Sequence, residues 1–492
     1  MSIEFFDVLI IGAGVSGIGM ACTLKTHCAD KSFAILERRN NLGGTWDLFR
    51  YPGVRSDSDM LTYGFQFKPW DDFKILADGS EIQRYLADTA REHEVNQRIR
   101  YGLKIISADW SATQQHWVVT ALEEASGQIR SFRCSQLVMS TGYYNYDAGY
   151  VPEFPGMENF AGKVVHPQHW PQDLDYAGKR VVIVGSGATA ITLVPAMAKQ
   201  AAHVTMLQRS PTYIMSIPSD DALTRTLSYI MPRRWAFAMA RRRNTTVARW
   251  VYQACRKWPE KMRKFLLQKT AERLNGSADM RHFTPSYLPW DQRVCIVPDE
   301  DLFAAIRSTK ASVETDLIDG FAGNKLLLRS GAELEADIVV MATGLDIQLF
   351  GGMRITVNGL PYAPSKHMLY KGVLMENLPN FSWILGYTNA SWTLKADLSA
   401  AYLCRLFNYL DEHHYAVATP CDRVGCKMGE SVMGGLTSGY ISRAQERMPR
   451  QGRKMPWATS SHYPSDKVML LRDPIDDGIL DFERCAENVD AA

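Results

Sequence analysis

A strand-like apolar run, closely spaced glycines and a helix-compatible segment follow one another twice in this chain, at residues 7–24 and 179–198. In the first copy, DVLIIGAGVSGIGMACTL, Gly12 permits a tight turn, Gly14 lets backbone approach a pyrophosphate, and Gly17 lets helix and strand pack closely. Helix N-terminal N–H groups are then left facing the phosphates. The next apolar run ends in Glu37, at the place where an acid accepts hydrogen bonds from a ribose diol. In the second copy, KRVVIVGSGATAITLVPAMA, Gly185 and Gly187 repeat the first two roles, and Ala190 replaces the third glycine while staying small enough for helix packing. HVTMLQRSP then brings Arg209 to nearly the same separation from Gly185 that Glu37 has from Gly12. A carboxylate there repels the 2′-phosphate of NADP, whereas a guanidinium accepts it, so the exchange favours NADPH over NADH.

The segment after Glu37 separates FAD from NAD at the first site. GGTWDLFRYPGVRSDSD supplies a second glycine pair, an aromatic residue and a Tyr-Pro-Gly turn, as FAD-binding chains of this class continue their nucleotide site. Flavin disulfide reductases place a redox cysteine just after the corresponding Gly-Gly-Thr; Trp46 stands there instead. Two further apolar segments, QLVMSTGYYN and DIVVMATGLD, end in Thr-Gly and bring backbone close to a bound nucleotide. The expected fold class is α/β with two Rossmann-like dinucleotide-binding domains, for FAD and NADP.

At 492 residues the chain is long enough for two or three domains. Its formal charge of +2 argues against a dedicated nucleic-acid binder. The nine cysteines show no CxxC and no paired Cys/His spacing, which predicts free thiols in a reducing compartment and no metal site. No apolar stretch reaches membrane-spanning length and no signal-like segment opens the sequence, so a cytoplasmic protein is expected.

One further motif carries a family likeness. FAGKVVHPQHWP matches Phe-x-Gly-x-x-x-His-x-x-x-Trp-Pro through Phe160, Gly162, His166, Trp170 and Pro171, just before the second glycine motif. With Gly44, Trp46, the Tyr51-Pro52-Gly53 turn and Asp57, the chain resembles the class B flavin-dependent monooxygenases that include the Baeyer–Villiger enzymes. The likeness is strongest to the ethionamide-activating mycobacterial type, and it weakens towards the C-terminal end of the chain.

The resemblance implies that FAD is reduced by NADPH, reacts with O2 to a C4a-peroxyflavin, and inserts one oxygen atom into a ketone or transfers it to a thioether. It implies Arg293 as the catalytic cation, oriented by Asp57. Candidate cofactor-binding positions are Gly12, Gly14, Gly17, Glu37, Gly44, Thr45, Trp46, Asp57 and Tyr63 for FAD. For the nicotinamide nucleotide they are Gly185, Ser186, Gly187, Ala188, Thr189, Arg209, Ser210, Gln292 and Thr343. Many relatives carry Lys where Gln292 stands, so the grip on the NADP phosphate departs from the family pattern there. His166 and Trp170 are read as coupling domain movement to catalysis rather than as acid or base. Tyr143, Tyr144, Tyr146 and Trp392 are candidates for an apolar substrate wall.

Two other activities remain open at this level: N- or S-oxygenation by a neutral hydroperoxyflavin, and reduction of an acceptor without oxygen insertion. A cofactor-retaining redox sensor is a third reading.

The second domain is expected to be inserted in the first. The FAD part spans 1–147 and 351–492, the NADP part 148–215 and 286–350, and a helical insertion 216–285. Between Arg225 and Arg273 lie fourteen Lys or Arg against two Glu, with Trp and Tyr interleaved. Such a run is a solvated face that is also suited to weak peripheral contact with anionic lipid.

Overall fold

The structure, a computed structural model, describes residues 3–435 and 437–485. Among the described residues, eleven strands join into one sheet. Its core is parallel: Glu4–Ile11 lies between Phe33–Leu36 and the second half of Gln128–Met139, and Ile99–Arg100 extends the edge beyond Phe33–Leu36. The apolar run Val8–Ile11 is fully buried there, as a strand covered on both faces must be. Gln128–Met139 serves two environments. Its first half pairs antiparallel with His116–Glu123, and its last four residues are buried beside Glu4–Ile11.

On the far side of Gln128–Met139 the sheet is completed by Phe381–Trp383, parallel and in register from Phe381 with Leu137 to Trp383 with Met139. That strand comes from a much later part of the chain, so the first domain is left after Met139 and re-entered. Between these two passes runs a second, five-stranded sheet, every neighbour parallel. Its order is Ala311–Thr315, His203–Gln208, Arg180–Val184, Ile338–Met341, Lys163–Val165. A mixed sheet with a parallel core and an all-parallel sheet inserted in it make the α/β architecture expected from the doubled glycine motif.

The two sheets are held together by the segment after the second glycine pair. Leu48, Phe49 and Tyr51 are buried in the core of the second sheet with Ile191 and Val194. Gly53, at φ +76°, comes so near the helix Ala188–Met197 that a Cβ there would lie 2.7 Å from the Ala196 Cβ. Arg55 pairs with Asp301 at 2.6 Å. The long helix Trp392–Glu412 packs on the first helix, Val15–His27, and the C-terminal stretch folds onto it through a buried pair. Lys395 Nζ donates to Asp466 Oδ2 at 2.9 Å, and the same oxygen accepts the Tyr387 hydroxyl at 2.6 Å.

The insertion forms three helices, Ala222–Ile230, Arg233–Lys257 and Pro259–Leu274. No helix of the described residues is long and apolar enough to cross a membrane.

Candidate functional site

Both glycine motifs close in the same way. Gly12 N–H donates to Leu36 O and Gly185 N–H to Leu207 O, each at 2.8 Å, so each turn is tied to the neighbouring strand. Gly12 has φ +103°, and a Cβ there would lie 2.8 Å from the carbonyl oxygen of Ser140. One at Gly17 would lie 1.8 Å from the Gly12 oxygen. Gly14 and Gly44 bring two backbone segments together, a Cβ on Gly44 reaching within 3.0 Å of the Gly14 Cα. The helices that follow begin at Gly14 and Gly187 with no side-chain cap. Their first N–H groups are therefore free of side-chain acceptors, as a phosphate site requires.

A deep cavity opens at the first turn. Gly12, Gly14, Glu37, Gly44, Thr45 and Trp46 line it, and so do Asp57, Tyr63, Tyr143, Tyr144, Tyr146, Trp392 and Arg293. Glu37 is buried, its two carboxylate oxygens accepting from Ala13 N–H at 2.7 Å and Arg39 N–H at 2.8 Å. Burial raises its pKa and those two bonds oppose the rise. Trp46 Nε1 donates to the Tyr63 hydroxyl at 2.9 Å, which fixes two candidate residues against one another. Trp392 Nε1 donates to Ser16 Oγ at 2.8 Å, anchoring the start of its helix beside the first turn.

Arg293 is brought in by the loop that follows the helical insertion. Burial opposes its charge, yet beside Tyr143, Tyr440, Asp57 and Tyr144 its pKa stays above the usual guanidinium value, so it remains a cation. Its Nε is buried with no hydrogen-bond partner among the described residues. Burial keeps the surrounding phenols protonated, Tyr144 being pushed up to about 12. A fixed cation thus stands in an aromatic wall.

The structure places Asp57 near that cation without a bond between them among the described residues. Asp57 lines the same cavity and acts on Arg293 through space. Asp57 is exposed on the turn leading into the helix Met60–Tyr63, whose cap is Asp59, accepting from Leu61 N–H at 2.8 Å.

At the second turn, Gly185 has φ +141° and a Cβ there would meet Ala342 O at 2.3 Å. Ser186 Oγ donates to Ser210 O at 3.0 Å, joining two candidate positions. Ala188 and Thr189 open the helix, and the Tyr51 hydroxyl bonds to Thr189 across the domain boundary. Arg209 stands exposed past the end of its strand. Thr343 donates its hydroxyl to Tyr150 O at 2.5 Å, and Gln292 does not line the first cavity.

Arg443, which no motif marks, lies over the Tyr150 ring at 3.6 Å and donates to Leu345 O at 3.3 Å. Burial lowers its pKa, and Arg209 and Arg447 add to that effect. Three guanidiniums from two distant segments, Arg209 from one and Arg443 and Arg447 from the other, therefore lie near one another. Tyr440 is equally unmarked. Both residues lie in SGYISRAQER, which has neither glycine spacing nor apolar periodicity to single it out.

The Phe160–Pro171 motif contributes the edge strand Lys163–Val165 to the second sheet. Phe160 meets Phe321 edge-on at 5.5 Å, and a Cβ on Gly162 would lie 2.4 Å from Asp337 O. His166 Nδ1 accepts from Gln168 N–H at 3.2 Å, which leaves the proton on Nε2, 3.4 Å from Gly344 O. Burial lowers its pKa, so the ring is a neutral link to backbone. Trp170 packs against the second core.

Residues 6–384 match the family described as flavin-binding monooxygenase-like. MymA of Mycobacterium tuberculosis is 55% identical over 99% of this chain and 100% of its own length. The FAD-containing monooxygenase EthA of the same organism is 46% identical over 98% of each chain. The alignments thus include the C-terminal stretch that carries few recognisable motifs. Among solved structures, an oxidised steroid monooxygenase bound to NADP superposes with a TM-score of 0.78 at 20% identity, over 98% of this chain and 100% of its own. Cyclohexanone monooxygenase from Rhodococcus sp. Phi1 bound to NADP+ gives 0.69 at 22%, over 85% and 87%. These two show the shared fold.

The contact between Gly17 and Gly12 leads to a direct test. Gly17→Ala must force helix and turn apart, at about 1–3 kcal/mol, so FAD retention is expected to weaken roughly 10- to 100-fold, read as loss of visible flavin absorbance after gel filtration. Full retention would mean that this packing does not shape the site.

Proposed function

Because the chain belongs to the flavin-binding monooxygenase-like family, we propose that it is an FAD- and NADPH-dependent monooxygenase of the Baeyer–Villiger type. It inserts one oxygen atom of O2 into a ketone to give an ester or lactone, and oxidises thioethers as a second activity. Arg293 is the observation that carries this reading: a cation in the wall of the cavity lined by Gly12, Gly14 and Glu37, beside Tyr143 and Tyr144, with a buried Nε that no described protein group satisfies.

The residues present fit an FAD. Gly12, Gly14 and Gly17 let the pyrophosphate reach the uncapped helix start, Glu37 receives the ribose diol, and Gly44, Thr45, Trp46 and Tyr63 continue the cleft. A flavin held there supplies a hydride acceptor and the activation of O2. In the domain assignment proposed, 1–147 and 351–492 bind FAD, 148–215 and 286–350 bind NADPH, and 216–285 is the helical insertion. Gly185, Ser186, Gly187, Ala188 and Thr189 take the NADPH pyrophosphate. Arg209 and Ser210 take the 2′-phosphate, Thr343 and Gln292 lie nearby in the assignment, and Arg443 supplies the charge that Lys supplies in many relatives.

Arg293 stabilises negative charge developing on oxygen when a ketone is attacked, in a cavity whose aromatic walls exclude water and strengthen the interaction. Asp57 acts on it through space. Tyr143, Tyr144, Tyr440 and Trp392 suit aryl or long-chain apolar substrates. His166, neutral and bonded to backbone on both ring nitrogens, holds the loop from which Gln168 bonds Asn145 O of the FAD part, and this loop transmits the position of one domain to the other.

Two outcomes follow. Arg209→Ala should raise KM for NADPH far more than for NADH, since it removes a charge-assisted contact of roughly 1.5–3 kcal/mol, or about 10- to 150-fold; equal effects on both coenzymes would take Arg209 off the 2′-phosphate. Arg293→Ala should still oxidise NADPH and consume O2, but ester formation should fall by ~10²–10³, with the oxygen recovered as hydrogen peroxide. A variant that makes ester at wild-type coupling would remove Arg293 from the mechanism.

A further inference from the structure

The helical insertion carries a pattern of charge and exposure that oxygen transfer leaves unused. Residues 225–273 hold 14 of the chain's 55 Lys and Arg but only two of its 53 acids, so the remaining residues, 41 basic and 51 acidic, are acidic. Of 21 large apolar side chains exposed on the described residues, nine lie between Leu223 and Phe265, among them all three exposed tryptophans. Tyr229 is 82% exposed, Ile230 75%, Trp250 60% and Trp235 58%. Large apolar side chains left in water forgo the stabilisation that burial gives, and their clustering marks a surface meant to be covered.

Five of the exposed groups form a stripe along one helix, with Leu223, Tyr229 and Ile230 on the preceding helix and Phe265 on the following one. At 3.6 residues per turn, Trp235, Met239, Arg242, Trp250 and Lys257 fall within about a quarter of the circumference of the helix Arg233–Lys257 and extend over about 33 Å of its length. Ala236, Phe237, Ala240, Ala254 and Cys255 are buried on the other side. Arg234 lies over the Trp235 ring and Lys257 over the Trp258 ring, whereas Arg243 and Arg256 pair with Asp221 and Asp291. Arg242, Arg249, Lys261 and Lys264 form no ion pair among the described residues, so their charge is free to meet an external anion.

The inner side of the same helix is fastened to the cavity wall. Arg241 donates to Gly64 O at 2.6 Å and to Leu61 O at 3.2 Å, and Asn244 donates to Asp59 Oδ2 at 2.6 Å. These partners flank Ser58 and Tyr63, which line the cavity. The stripe is therefore a fixed surface, held beside the site.

We propose that this stripe is a docking surface for an anionic lipid bilayer. The helix Arg233–Lys257 lies in the plane of the interface, with its Trp and Met side chains at the acyl boundary and its cations among the headgroups. Single-stranded nucleic acid also uses cations and aromatic faces, but it has no use for the exposed aliphatic Leu223, Ile230 and Met239, which a bilayer buries.

Flotation of the full-length flavoprotein tests this, using vesicles of phosphatidylcholine alone or mixed with phosphatidylglycerol, at low and high salt. The protein should float with the anionic vesicles at low salt and stay at the bottom with phosphatidylcholine alone. Replacing Arg234, Arg242, Lys257 and Lys261 together by Ser should lower the vesicle partition coefficient roughly 10²–10³-fold, at about fivefold per cation. Trp235→Ser with Trp250→Ser should abolish the vesicle-induced shift in tryptophan emission. NADPH oxidation without vesicles should be unchanged in both variants, which shows that they are folded. The proposal is overturned if the wild type stays at the bottom with anionic vesicles, or if both vesicle types float wild type and variants alike. Capture by a single-stranded oligonucleotide, or dimer formation through this face, without vesicle binding would overturn it as well.

Discussion

Three backbone segments approach one another at the first turn more closely than side chains allow. A Cβ at residue 17 would lie 1.8 Å from the Gly12 oxygen, and one at residue 12 would lie 2.8 Å from the Ser140 oxygen. That crowding sets the helix Val15–His27 directly over the end of Glu4–Ile11 and leaves its first N–H groups open. The remaining parts of the cavity are placed against this point. Gly44 touches Gly14, Trp392 bonds to Ser16, and Glu37 reaches back to Ala13. Because Trp392 begins the helix on which the C-terminal stretch folds, a constraint at Gly12 fixes elements near the opposite end of the chain.

The second sheet repeats the geometry with its charge reversed. Glu37 is buried and bonded by backbone N–H groups, so it presents a positioned acceptor; Arg209 is exposed and has other guanidiniums beside it. The same turn is thus followed by an acid in one sheet and by a base in the other. Between the two, the Tyr51-Pro52-Gly53 turn, the Arg55–Asp301 pair and the bond from Gln168 Nε2 to Asn145 O join the domains through a few contacts of different kinds. An arrangement of this sort lets one domain move on the other, as sequential binding and release of a nicotinamide nucleotide requires.

Much of this is legible in the residues because it is local. Gly12, Gly14, Gly17 and Glu37 lie within one strand–turn–helix–strand unit, where spacing fixes position, and Gly185, Gly187 and Arg209 follow the same rule. What is not legible depends on distant segments meeting. Tyr440 and Arg443 reach the site from a short helix, Gly439–Ala444, with no periodic signal, and only the folded chain sets them beside Arg293 and Arg209. Motif spacing says that Asp57 and Arg293 share a site without saying whether they touch. The strand Gln128–Met139 shows the same limit: its end, QLVM, reads as buried strand, whereas its beginning is exposed and pairs with a neighbour that the glycine motifs do not announce. For the basic insertion, the charge is readable in the residues, and the structure adds which side chains face outward.

The central claim is that O2 supplies the atom inserted into substrate. It is tested most directly by incubating the purified protein with NADPH and a panel of aryl and linear ketones under ¹⁸O2, followed by mass spectrometry of the products. The account predicts esters carrying one ¹⁸O atom each, formed in proportion to NADPH consumed. Unlabelled esters would contradict it, as would NADPH oxidation that yields only a reduced acceptor, or sulfoxides from thioethers with no ester from any ketone.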